Sequence, residues 1–164
     1  MLDDNTFIFS TLFLGMSVRS YFYNRVYASF RDNRPEDALR NVTNYEIRQN
    51  PTGFRHIYDN TIRILDGIIA SRNDLINKKE LRDRYRIQLS KLDITIQYQN
   101  ARRQLVPDLS EGLKAALKEI SSYLQKGDVD SAVKSAESLR LALDAVLAYK
   151  IAGGGKREEE EEFT

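Results

Sequence analysis

The chain has no cysteine and no tryptophan, and it has a single histidine, three prolines and eight glycines in 164 residues. Without thiols it can hold no disulfide, thiolate zinc site, iron–sulfur cluster or cysteine nucleophile. A lone imidazole, His56, excludes multi-histidine metal sites and the HExxH pattern of zincins. Di-iron carboxylate proteins require Glu-x-x-His pairs on two helices, and the residue three before His56 is Gly53. Gly53, Gly67, Gly112 and Gly127 stand alone, and Gly153, Gly154 and Gly155 precede Lys156 and Arg157 without phosphate-loop spacing. No nucleophile, base and orienting group recur in a recognisable pattern. The expectation is a protein with no catalytic centre, no cofactor and no metal, in which His56 is a partly exposed surface residue.

Long apolar runs are equally scarce. Thr6 to Val18 is interrupted only by Thr6, Ser10, Thr11, Gly15 and Ser17, yet a membrane crossing needs about 20 apolar residues. Asp3 and Asp4 precede it, where a secretory signal carries basic residues. The expectation is a chain with no transmembrane segment and no signal peptide, soluble in a cell or organelle interior, its compartment otherwise unread.

What is present suits one globular domain. A hydrophobic content of 41% with 30% charged residues lies far from the disordered range, and a chain of this size can bury roughly 70% of its unfolded surface. Residues 1–152 read as the domain. Residues 153–164 hold three glycines, two cations and five consecutive glutamates, too little apolar surface to offset ordering, and read as a flexible acidic tail.

Within 1–152 the punctuation and periodicity predict an all-α antiparallel bundle of five or six helices. Asp3, Asp4 and Asn5 offer N-cap chemistry for a first helix running towards Phe30. Pro35 with Glu36 and Asp37 opens a second, to about Arg48. After Asn50 and Pro51, the residues Phe54, Ile57, Tyr58, Ile62, Leu65, Ile68 and Ile69 define a third. Ser71 to Asn77 reads as a break, with a helix running through it as the alternative, and a fourth helix follows, carried by Leu81, Tyr85, Leu89, Leu92 and Ile96 and ending near Leu105. Leu92, Ile94, Ile96 and Tyr98 also alternate with polar residues as a strand does, but the length and the lack of turn residues favour helix. Pro107 ends that run, and Asp108 with Glu111 resembles a capping box for a fifth. Its stripe is Leu113, Ala116, Leu117, Ile120 and Leu124. Gly127 closes it, Asp128 or Asp130 opens the sixth, and Ala132, Ala136, Leu139, Leu143 and Val146 form the facing stripe. The short link makes these two an antiparallel hairpin. From Leu109 to Ala152 it resembles the helical hairpins of many unrelated bundle proteins, extrinsic subunits of photosynthetic complexes among them; the likeness is one of Ala/Leu periodicity around Gly127 and Asp128 and carries no site residues with it.

The net charge of +1 hides an asymmetry: 17 Lys and Arg against 12 Asp and Glu from Met1 to Pro107, and 8 against 12 from Asp108 to Thr164. Fourteen of the early 17 cations are Arg, the cation favoured at interfaces and on phosphates. Two surfaces follow. Phe7, Phe9, Phe13, Tyr21, Phe22, Tyr23 and Tyr27 concentrate aromatic area at the amino end, suited to a protein interface, to the centre of a core, or to membrane docking, although the last needs a polar face that residues 6–18 lack. Lys78, Lys79, Arg82 and Arg86, with Arg102 and Arg103, could meet nucleic acid, with Tyr85 and Tyr98 to stack on bases; Glu80, Asp83 and Asp93 among them weaken that reading. The expected function is therefore a non-enzymatic structural or scaffold subunit that self-associates or joins a larger assembly through the aromatic N-terminal helix and its Arg-bearing neighbours. The alternative is a small nucleic-acid-binding or regulatory protein.

Overall fold

The computed structural model describes residues 18–152, and the expected acidic tail and the residues before Val18 lie outside that range. Among the described residues every regular element is helical, and there are seven helices. Helix α1 opens as a π-helical stretch, Phe22–Tyr27, and continues as Ala28–Arg31; α2 is Pro35–Thr43, α3 Pro51–Ala70, α4 Arg72–Asn77, α5 Lys79–Ala101 and α6 Pro107–Lys126. Helix α7, Val129–Val146, is prolonged by a second π-helical turn, Leu147–Ala152.

All three prolines stand in the first turn of a helix, at the starts of α2, α3 and α6, where the missing N–H costs nothing and φ is already helical. Asn50 caps α3, its side chain accepting from Thr52 N and Gly53 N. Gly127 ends α6 at φ 75°, with Asp128 N–H donating to Tyr123 O at 3.0 Å, and the Asp128 side chain then caps α7 through Ser131 N. The predicted stripes of this hairpin, from Leu113 to Leu124 and from Ala132 to Val146, are buried at every named position.

The α6–α7 hairpin is the centre of the fold. Helix α5 packs against α6, α3 packs against α7, and α1 contacts both hairpin helices. Alanines at 132, 136, 142 and 145 let neighbours approach α7 closely, while Leu139, Leu143 and Val146 fill the spaces between. Each large side chain so buried contributes about 1.5–3 kcal/mol. Gly112 marks a close approach of α1 to α6: a Cβ there would collide with Ser20 Oγ and the Phe22 ring.

Several boundaries differ from expectation, each for a physical reason. A continuous first helix from Asp3 to Phe30 is not what forms, because residues 18–20 are non-helical and the helix begins after them. Ser20 Oγ accepts from Tyr23 N at 3.0 Å while the carboxylate of Asp108 accepts from Tyr21 N and Phe22 N, so the start of α1 is capped from its own chain and from α6. Asp108 consequently does not cap its own helix, whose N-cap is Val106 with no side-chain cap. Helix α2 stops at Thr43 rather than Arg48, since Tyr45 turns inward and is buried. Helix α5 stops at Ala101 rather than Leu105, broken by Arg103 at φ 60°. The seventh helix, beyond the five or six expected, is the short α4: Ser71 closes α3 and the chain re-enters a helix at Arg72.

Residues 92–98 are helical, and their strand-like alternation has a simple origin. Helical positions two apart lie on opposite faces. Leu92 and Ile96 share the inward face and are buried, whereas Ile94 and Tyr98 share the outward face and are exposed.

Candidate interaction surface

The aromatic residues singled out at the amino end divide at Val18. Phe7, Phe9 and Phe13 lie outside the described residues. Phe22 and Tyr27 are fully buried, and so offer no area to a partner; for them the core alternative is the one realised. Tyr21 stacks on Tyr45 with ring centroids 4.9 Å apart and donates its hydroxyl to Asn41 O at 2.7 Å. Tyr23 is half-buried beside Tyr27.

Three early tyrosines and two early arginines are partnered by carboxylates of α6 and α7. Tyr45 donates to Asp108, Tyr27 to Glu119 and Tyr58 to Asp144. Arg31 joins the Glu119 cluster at 2.8 Å and lies over the rings of Tyr23 and Tyr27. Arg72 pairs with Asp130, and Arg140 links Asp66 of α3 to Asp144 of its own helix. The early-basic, late-acidic asymmetry is thus partly an internal complementarity between the two parts of the chain, which sequence order displays but cannot pair.

These clusters move the tyrosines away from neutral-pH proton transfer. Burial, reinforced by the charge of Glu119, raises the Tyr27 hydroxyl well above its ordinary value. Burial and the hydrogen bond to Asp108 do the same to Tyr45. Burial and the hydrogen bond to Asp144 push Tyr58 up to about 12. Tyr23 and Tyr123 are also raised, by burial first and by Glu119 second. Burial opposes the charge on Arg31, but Glu119, Asp32 and Tyr23 together outweigh it and hold the guanidinium protonated. Tyr27, Tyr45 and Tyr58 donate their hydroxyls to carboxylates, and Tyr23 accepts from Arg31.

His56 is exposed near the start of α3, its own carbonyl accepting from Asn60. Among the described residues no three His, Asp or Glu side chains converge as a metal site would need, and no helix is long and apolar enough to cross a membrane.

The six candidate phosphate contacts are not brought together. Lys78, Lys79, Arg82 and Arg86 stand at the start of α5 and Arg102 and Arg103 just past its end, about 30 Å away along the axis. Arg82 donates to Leu75 O at 2.7 Å and Ile76 O at 3.3 Å, closing the carboxyl end of α4. Lys78 pairs with Asp74, Arg86 with Asp83, and Arg102 covers the ring of Tyr98. Lys79 and Arg103 are exposed.

The surface that sequence reasoning passed over is the outer face of α5. Ile87, Ile94 and Tyr98 are 57%, 68% and 55% exposed, and their spacing of seven and four places them on one side of the helix. The signal was available: a helix with a complete inward stripe at Leu89, Leu92 and Ile96 has no packing use for three more large apolar residues on its far side. Between α5 and α6 runs an open groove of about 620 Å³, lined by Val18, Leu89, Ile94, Ala115 and Leu117 with Ser90, Asp93, Lys114, Lys118 and Ser121 at its polar positions.

Compared with known protein families, curated proteins and solved structures, the chain matches none.

Proposed function

We propose that this protein is a non-enzymatic structural or scaffold subunit that self-associates or docks into a larger assembly, its helices arranged as an antiparallel bundle with residues 153–164 as an acidic tail outside the core. The outer face of α5 is the contact surface. The observation that carries this reading is the row of Ile87, Ile94 and Tyr98, three large side chains more than half exposed on one helix face. Scattered exposed apolar residues are ordinary, but aligned ones on a helix surface mark binding sites. Aromatic residues with Arg nearby, here Tyr98 under Arg102, are the composition enriched at protein interfaces. The non-enzymatic part draws support from the tyrosine shifts, all of which lead away from neutral pH, and from the solitary exposed imidazole. The phosphate-binding alternative has less support, because Lys78, Arg82 and Arg86 already have protein partners.

Size-exclusion chromatography with light scattering tests self-association. The intact chain should rise above monomer mass with concentration, and the double substitution Ile87→Glu with Ile94→Glu should return it to monomer without loss of helicity. A mass that the double substitution leaves unchanged would remove α5 as the contact.

A further inference from the structure

We infer that the outer face of α5 receives the same face of a second copy, the two helices running antiparallel about a two-fold axis at the level of Leu89. The site rests on the proposed function; the occupant, its direction and its register go beyond it.

The exposed row on α5 is longer than its three apolar members. Glu80, Arg84, Ile87, Lys91, Ile94, Tyr98 and Ala101 step by 4, 3, 4, 3, 4 and 3, and all seven are exposed. Alternating steps of four and three are the repeat of a two-helix coiled coil, and the row runs nearly the whole of Lys79–Ala101, about 30 Å. Leu89, Leu92 and Ile96 already form the buried inward stripe of the same helix, so the outer row is a second seam.

Charge decides the direction. In a parallel pair each position faces itself, so Glu80 meets Glu80, Arg84 meets Arg84 and Lys91 meets Lys91, and like charges in register oppose pairing. In an antiparallel pair the two sides of the seam alternate. Ile87 then lies on the stem of the partner's Lys91, Ile94 on the stem of the partner's Arg84, and Tyr98 on the partner's Glu80. Lys and Arg cover apolar surface with their methylenes while their charged heads reach the rim.

The end of α5 completes the match. The Arg102 guanidinium lies over the Tyr98 ring, 5.4 Å from its centroid, and Nη1 donates to the Tyr98 hydroxyl at 3.2 Å. A cation is thereby held at the layer where the partner's Glu80 arrives. Sliding the pair by one heptad in one direction sets Arg84 beside the partner's Arg102 and leaves Glu80 past the end of the partner's α5. Sliding it in the other leaves Ile94 and Tyr98 past the start of that helix. The two-fold repeats each contact and closes the pair, so both copies of the face are used.

Exposed residues carry the test. Glu80→Arg sets Arg against Arg at both ends of the pair, and Arg102→Glu sets Glu against Glu. Each variant alone should raise the dimer dissociation constant about tenfold in sedimentation equilibrium. An equimolar mixture of the two restores Arg against Glu at both ends and should return the constant to that of the parent. Only the antiparallel order brings positions 80 and 102 together, so recovery in the mixture reads direction as well as contact. The chain has no native cysteine, which allows a covalent check: Glu80→Cys mixed with Tyr98→Cys should form a disulfide between the two variants, and neither should form one with itself. A mixture as weak as the single variants, or a self-linked Glu80→Cys protein, would overturn the antiparallel pairing and leave α5 as the contact surface. An intact chain that stays monomeric at every concentration would overturn the pairing together with the self-association on which it rests.

Discussion

The carboxylate of Asp108 accepts the hydroxyl of Tyr45, 63 residues away in sequence, and the same carboxylate accepts the first backbone donors of α1, Tyr21 N at 2.8 Å and Phe22 N at 3.1 Å. One side chain in the first turn of α6 thus ties together the start of α1, the link between α2 and α3, and its own helix. Every donor it satisfies would otherwise be a polar group partly withdrawn from water with no partner.

Removal of that carboxylate should be costly. Hydrogen bonds to a charged group contribute about 1.5–3 kcal/mol each, and loss of a cap about 1 kcal/mol, with incomplete additivity. Asp108→Ala is expected to lose about 3 kcal/mol in urea unfolding, Asp108→Asn less, and Tyr45→Phe about 1 kcal/mol. The Asp108–Tyr45 double-mutant cycle should show coupling above about 0.5 kcal/mol. An Asp108→Ala protein as stable as the parent would mean that water replaces the carboxylate without penalty.

The same residue shows what the sequence made legible and what it did not. Local signals carried the helices themselves: Asn50, Pro51, Gly127 and Asp128 act where their chemistry placed them, and the stripes of α6 and α7 are buried as their periodicity required. Asp108 followed by Glu111 has the form of a cap for α6, yet its oxygens serve α1. Capping rules see three or four residues of chain, and a cap supplied across 87 residues leaves no local trace. Tyr45, Tyr27 and Tyr58 were unreadable for the same reason, since their carboxylate partners come from helices α6 and α7. The outer face of α5 is legible in principle, but the alternation of Leu92 to Tyr98 is shared by a strand and by a helix with two apolar faces, and spacing alone does not separate them.

Glu119 occupies the second junction, between Tyr27 and Arg31. Its side chain is 19% exposed and that of Arg31 27%, so the pair is shielded but not fully buried. Breaking a fully buried pair costs about 3–5 kcal/mol, and residual solvation should reduce the loss for Glu119→Gln to about 2 kcal/mol. Arg31→Met should cost less than Glu119→Gln, because Glu119 keeps the Tyr27 donor while Arg31 would lose its only carboxylate on α6. Chemical unfolding of both variants orders them; the reverse order would place the stabilisation in the rings of Tyr23 and Tyr27 rather than in the carboxylate.

Alkaline pH should unfold the protein in a predictable window. A tyrosine whose hydroxyl is raised in the folded state keeps its proton longer there than in the unfolded chain, so the folded state binds more protons once pH passes the ordinary value of about 10. The contribution is complete below that pH and is lost as pH climbs through the folded values, about 12 for Tyr58 and well above the ordinary value for Tyr27 and Tyr45. The urea midpoint should therefore fall as pH rises above about 10, and tyrosinate absorbance should appear in step with loss of helicity. Tyr58→Phe should flatten the first part of the decline. Tyrosinate formation in full before any loss of helicity would show that these hydroxyls are not held by the fold.

Arg82 separates a structural surface from a phosphate-binding one. Its guanidinium closes α4 by donating to the carbonyls of Leu75 and Ile76, whereas Lys79, three residues earlier, is exposed. If the basic start of α5 is a structural feature, Arg82→Gln should lower stability by about 1 kcal/mol and Lys79→Gln should leave it unchanged. Arg82→Gln should leave the weak, salt-sensitive binding of a single-stranded oligonucleotide unchanged, and Lys79→Gln should lower it only by the share of one exposed cation. A phosphate-binding surface predicts the opposite pattern, in which both substitutions weaken oligonucleotide binding and reduce its salt dependence while stability holds. Because Arg82 holds the carbonyls of Leu75 and Ile76 through Nη1, a phosphate that drew the guanidinium away would uncap α4, and that competition is why the first pattern is expected.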